Sequence, residues 1–152
     1  MEPSLYPRQP GYVTESPDSG NLALAVVAGL VAALVGAVLW ALLVSATHYK
    51  IGYAAVGVGY LVGLAMRVAG KGHTPVFGYI GAGLALLGCV VGDILTDCAI
   101  AAEQSHTSVF SVLGILTPSL AIESLKEGFG PLDILFYVLA AMAGYRNAFI
   151  KN

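Results

Sequence analysis

Charge is what this sequence has least of. Seven Lys and Arg and nine Asp and Glu make up 11% of its 152 residues, against roughly 25% in an ordinary soluble domain. So few charged groups leave little soluble surface to build. The net charge of −2 supplies no basic face, so nucleic acid is not an expected partner. Cysteine is scarce as well. Cys89 and Cys98, the only two, would sit roughly 13 Å apart along one helix, too far to bridge each other, which excludes a disulfide scaffold. Catalytic and cofactor motifs of high specificity are also missing. Gly70-Lys71-Gly72 is not a phosphate-binding loop, because that motif needs glycine where Ala65 stands and Ser or Thr where Gly72 stands. No cofactor is expected beyond contacts with lipid.

What the chain does have is apolar length. Apolar residues make up 57%, and the mean hydropathy is +0.80. They gather in four stretches, Leu22 to Val44, Gly52 to Ala69, Val76 to Ala102 and Pro131 to Phe149. A hydrocarbon core about 30 Å thick takes roughly 20 helical residues, and lipid leaves no water for unpaired backbone, so each stretch reads as a spanning helix. The expected fold is therefore an all-α membrane protein. Four transmembrane helices, about 22–45, 52–69, 76–102 and 131–149, would pack as an antiparallel bundle, the short connections making the first three antiparallel neighbours. Residues 103–130 would form an excursion of short non-spanning helices on the outer side.

The boundaries carry local signals. Residues 1–20 hold four of the seven prolines and few aliphatics, so they are expected to be a disordered Pro-rich cytoplasmic leader ahead of a 21–152 transmembrane domain. The acidic residues Glu2, Glu15 and Asp18 argue against a signal peptide. Ser19, Gly20 and Asn21 offer a helix cap. Gly70 to Pro75 is a dense turn signal. Ser108 to Leu116 is apolar but too short to span. Thr117-Pro118 starts a helix that closes on Gly128, and Pro131 with Asp133 opens the last one, where a carboxylate suits the helix dipole.

Lys and Arg set the orientation. Arg8, Arg67, Lys71, Arg146 and Lys151 share one side of a four-span arrangement, while Lys50 and Lys126 occupy the other. The positive-inside rule then places both termini in the cytoplasm. Trp40 and Tyr53 would anchor the outer interface, and Arg67, Lys71, Tyr145 and Arg146 the inner one, with Arg67 snorkelling to the headgroups.

Small residues let membrane helices approach closely. Gly57, Gly59 and Gly63 in the second span, and Gly78, Gly81, Gly88 and Gly92 in the third, predict that these two helices form the tight centre of the bundle.

Ionisable groups inside spans are costly and mark where function is sought. Asp93 and Asp97, four residues apart, share one helical face near the outer end of the third span. Cys98, Glu103 and His106 follow, with His48 and Lys50 on the same side, so an ion, proton or polar site is expected there, its metal unassigned. Glu103-x-x-His106 matches one carboxylate-histidine step of di-iron bundles, but no second copy exists. The plainer alternative is that Asp93 makes a polar contact between helices.

Trp40 ahead of Ile51-Gly52-Tyr53, then VGVGYLVG, the GKG turn, FGYIGAGLALLGCVVGD, PLDILFY and Gly144-Tyr145-Arg146 resemble a family of small bacterial four-span integral membrane proteins of unknown function. The resemblance covers most of Asn21 to Phe149 and implies a multi-pass protein of the bacterial inner membrane. The chain departs from that family at Asp93, where asparagine is commoner.

The function expected first is a structural or accessory subunit of a larger membrane complex or homo-oligomer, its partners being membrane lipids and a protein in the membrane. The alternative is a small proton or cation transporter or channel component using Asp93 and Asp97. A membrane-bound metal or redox enzyme is the second alternative.

Overall fold

The computed structural model describes residues 20–49 and 52–149. The expected leader, Lys50 and Lys151 lie outside the described residues. Six helices follow in order: α1 Leu22–Thr47, α2 Tyr53–Gly70, α3 Pro75–Gln104, α4 Val109–Ile115, α5 Pro118–Gly128 and α6 Pro131–Asn147. No strand occurs among the described residues. Helices α1, α2 and α3 are each long and apolar enough to cross a membrane. Helix α6 is shorter, at 17 residues. Helices α4 and α5 together also pass the test of length and apolarity, but they meet at a bend of 112°, the geometry of a broken span or a re-entrant loop.

The sequence accounts for most of the ends. Asn21 caps α1 by accepting from the Leu24 amide at 3.0 Å, and Thr117 caps α5 by accepting from Leu120. Pro75, Pro118 and Pro131 stand in the first turns of α3, α5 and α6, where a missing N–H has no consequence. Lys71, at φ 48°, turns left-handed to end α2. The glycines on either side of it are set by space: a Cβ on Gly70 would meet the Ala25 side chain, and one on Gly72 the Phe77 ring.

Helices α2 and α3 lie in the middle, each touching both α1 and α6, while α1 and α6 do not touch among the described residues. The α1–α3 seam runs in a fixed register. Gly29 meets Leu84, Ala33 meets Gly88, and Ala37 with Trp40 meets Gly92, so two parallel helices are zipped at steps of one turn by small residues. Helix α6 lies in the other crevice. Gly59 and Gly63 of α2 receive Ala140, Gly144 and Asn147, and Gly78 and Gly81 of α3 receive Tyr145, Gly144 and Ala148. The glycines depart in part from the expected α2–α3 centre: Gly59, Gly63, Gly78 and Gly81 face α6 and Gly92 faces α1, while Gly88 lies between Val58 of α2 and Ala33 of α1. Gly57 departs from expectation too, since no described atom lies within 4 Å of a Cβ placed there.

Burial follows this packing. Val58, Val62, Met66, Phe77, Ala85 and Cys89 fill the centre, while Leu30, Leu34, Leu42, Leu135 and Val138 stand exposed on the outside. An apolar exterior around an apolar interior is what lipid as solvent permits.

Candidate functional site

The half-buried carboxylates gather at the end of the bundle away from the α1 N-terminus. Asp93 and Asp97 are half-buried on one face of α3, and each is tied to a different neighbour. The Tyr137 hydroxyl of α6 donates to Asp93 Oδ2 at 2.5 Å. The Ser124 hydroxyl of α5 donates to Asp97 Oδ2 at 2.6 Å. Both are short hydrogen bonds. A third carboxylate, Asp133, accepts from the Gly130 amide at 2.8 Å and so closes the first turn of α6. Phe129 packs edge-on against the Tyr137 ring at 5.1 Å and holds its hydroxyl towards α3.

Asp93, Asp97 and Asp133 line one cavity of about 30 Å³, closed by Trp40, Gly52, Ser124 and Phe129. That is room for a water or a similarly small ion. The Trp40 ring is 7% exposed, and its Nε1–H is buried with no hydrogen-bond partner, a donor that a buried site normally satisfies. Trp40, expected at the outer interface, is thus a wall of the cavity and a partner of Gly92. Gly92, lacking a side chain, leaves the flat seat on α3 that the indole occupies.

A second, wider groove shares Asp97, Ser124 and Gly128 with the cavity and adds Leu120, Glu123 and Glu127. Acidic groups therefore lead from the exposed side of α5 down to Asp93. Below Asp93 the route closes. Cys89 and Gly88 pack against Ala55, Val58 and Ala33, and the thiol of Cys89 makes only a long contact of 3.8 Å to the Ala55 carbonyl.

Other expected site residues fall elsewhere. Cys98 is buried in a groove with Asp97, Val112, Leu116 and Ser124 under α4 and α5. Glu103 and His106 are exposed past this region and do not line the cavity. His106 has φ 51° and lets the Thr107 amide reach the Ala102 carbonyl at 3.0 Å, a helix-ending motif that explains its position without a ligand. Among the described residues no group of three or more His, Cys, Asp or Glu side chains is placed to hold a metal ion. Tyr53, Arg67, Lys71 and Arg146 are exposed, and Tyr145 is half-buried between Tyr79 and Phe149.

Tyr137 and Ser124 carry no role in the sequence reading, and Asp133 only that of a first-turn carboxylate of the last helix. Their signal was faint: a tyrosine and a carboxylate four residues apart on one face of α6, and one serine on α5 between two glutamates. The chain matches no protein-family model, no curated protein and no solved structure. The chemistry of the site rests on its own geometry.

Proposed function

We propose that this chain is a four-span integral membrane protein of the bacterial inner membrane, α6 being the fourth span and both termini cytoplasmic, which takes up a proton or small cation at the Asp93–Asp97 site. The observation that carries this reading is that Asp93, Asp97 and Asp133 line one water-sized cavity at the end of the bundle away from the α1 N-terminus. Membrane helices rarely keep carboxylates at such depth without a use for them. The acidic groove over Glu123 and Glu127 supplies a mouth on that side, and the apolar packing around Cys89 and Val58 supplies a barrier on the other. The protein would therefore bind from one face, and passage across would require the bundle to open or a second subunit to complete the path. In proteoliposomes, cation- or proton-driven dye signals should be present for the native chain and abolished in an Asp93→Asn, Asp97→Asn variant; equal signals from both would refute the reading.

The accessory-subunit reading retains one observation of its own. Gly57 lies in an apolar groove of about 440 Å³ between α1 and α2, with Gly36, Leu39, Leu43, Ala54 and Leu61. A glycine inside a helix costs about 1 kcal/mol relative to alanine, and here no described neighbour uses the space it leaves. A helix of a larger complex would fit there. Gentle detergent extraction and native mass measurement test this: a stoichiometric membrane partner that is lost on Gly57→Leu supports it, and an unaccompanied monomer counts against it.

A further inference from the structure

A different groove, on the α2–α6 flank and reaching to the opposite end of the bundle, carries chemistry that the acidic site does not use. It runs between α2 and α6, has a volume of about 420 Å³, and is lined by Val56, Leu139, Met142, Ala143, Arg146 and Asn147. The composition is graded. Val56, Leu139 and Met142 form apolar walls, and the polar groups Arg146 and Asn147 lie at one end. The packing explains why a groove exists. Gly59 and Gly63 draw the α6 backbone at Ala140 and Gly144 close against α2, which leaves the larger side chains on the outer flank to stand apart.

A second arginine belongs to the same end. Asn147 lies against Gly63, and Arg67 follows Gly63 by four residues, so it sits on the same face of α2 about 6 Å further along the axis. Helix α6 stops at Asn147, Ala148 and Phe149 turn in against Gly81 and Gly78 of α3, and Arg67 and Arg146 are left exposed towards this end of the bundle. The Asn147 amide is already committed, donating to the Ala143 carbonyl at 2.8 Å. The two guanidinium groups are what remain to meet a ligand. Two like charges near each other favour an anion between them, and guanidinium geometry matches phosphate.

We propose that this groove binds an anionic phospholipid of the leaflet on the α1 N-terminal side, with the phosphate held by Arg67 and Arg146 and a length of acyl chain lying over Val56, Leu139 and Met142. The charge complements the headgroup, the apolar walls complement the chain, and basic pockets between helices on the cytoplasmic side are where such lipids bind. The site requires the bundle to be in a membrane and is independent of the carboxylates around Asp93.

Native mass spectrometry of the purified, delipidated full chain tests this by titration with phosphatidylglycerol and with phosphatidylcholine. The native protein should retain one phosphatidylglycerol in preference to phosphatidylcholine. Arg67→Gln and Arg146→Gln should each weaken that retention about fivefold, and the double variant more. Lys71→Gln, which removes an exposed charge at the same end of the bundle, should leave it unchanged. Excess inorganic phosphate should fail to displace the lipid, because the chain contributes to binding. Equal retention of the two lipids overturns the proposal. So does a loss in Lys71→Gln as large as in Arg146→Gln, which would indicate attraction to charge in general, and so does displacement by free phosphate. Both arginines are exposed, so their variants should keep the native helical circular dichroism, and the comparison is read on folded protein.

Discussion

The Tyr137 hydroxyl and the Asp93 carboxylate meet at 2.5 Å, and this one bond joins α6 to α3 at the level of the acidic cavity. The same α6 is held lower down by Gly81 and Gly144, where a Cβ on Gly144 would come within 2.6 Å of the Gly81 carbonyl oxygen. Close backbone approach therefore sets the position of α6, and the Tyr137–Asp93 bond sets its rotation. The carboxylate has two uses in this arrangement, as a strut and as the deepest group of the site.

Those two uses separate experimentally. Tyr137→Phe should lower the thermal stability of the detergent-solubilised protein by about 1 kcal/mol, the scale of hydrogen bonds between membrane helices. Asp93→Asn keeps an oxygen acceptor for Tyr137 and should cost less than that, while still removing the proposed ion or proton response. Thermal unfolding followed by circular dichroism, read alongside the liposome signal, checks both.

Gly59 and Gly57 are two residues apart and should behave in opposite ways. A Cβ on Gly59 would collide with the Ala140 backbone, so Gly59→Ala should destabilise by about 1 to 3 kcal/mol through overpacking. Gly57 has open space around it, so Gly57→Ala should be neutral, or stabilising by up to about 1 kcal/mol through helix propensity. A pair of melting curves in the same detergent decides it.

Helices α4 and α5 pack chiefly on α3, and the Ser124–Asp97 bond tethers α5 to it. Ser124→Ala should loosen this cover. Cys98 lies beneath it, whereas Cys89 is fully buried among α1, α2 and α3. Maleimide labelling of Cys98 should therefore become several-fold faster in Ser124→Ala while Cys89 stays unlabelled, which peptide mass mapping would show. Unchanged Cys98 labelling would mean that the apolar contacts of Val112, Leu116 and Leu120 hold the cover without the hydrogen bond.

How much of this was legible in the sequence differs by level. The long apolar runs gave the helices of the bundle, because lipid makes element length a matter of hydrocarbon thickness, and Asn21, Thr117 and the three helix-starting prolines marked ends within a residue or two. The partner of each glycine face was not legible. Gly59 and Gly63 read as a packing motif whichever helix they meet, and the small residues Gly29, Ala33 and Ala37 of α1 were overlooked in so apolar a run. The seat of Trp40 on Gly92 was not legible for the same reason: aromatic belts are a statistical tendency, whereas a glycine on a facing helix is a specific place. The convergence of Asp93 and Asp97 followed from their four-residue spacing. Tyr137, Ser124 and Asp133 joined them only through the tertiary fold, which brings α5 and α6 to the end of α3.

Trp40 is the single tryptophan of the chain and a wall of the acidic cavity, so its fluorescence reports directly on what enters there. In purified protein, titration with protons and, separately, with monovalent cations should shift or quench the emission in a saturable step. That step should be lost in the Asp93→Asn, Asp97→Asn variant and kept in Lys71→Gln. Emission that stays flat across both titrations, or that changes equally in the native and doubly substituted proteins, would contradict the claim that these carboxylates form a proton or cation site.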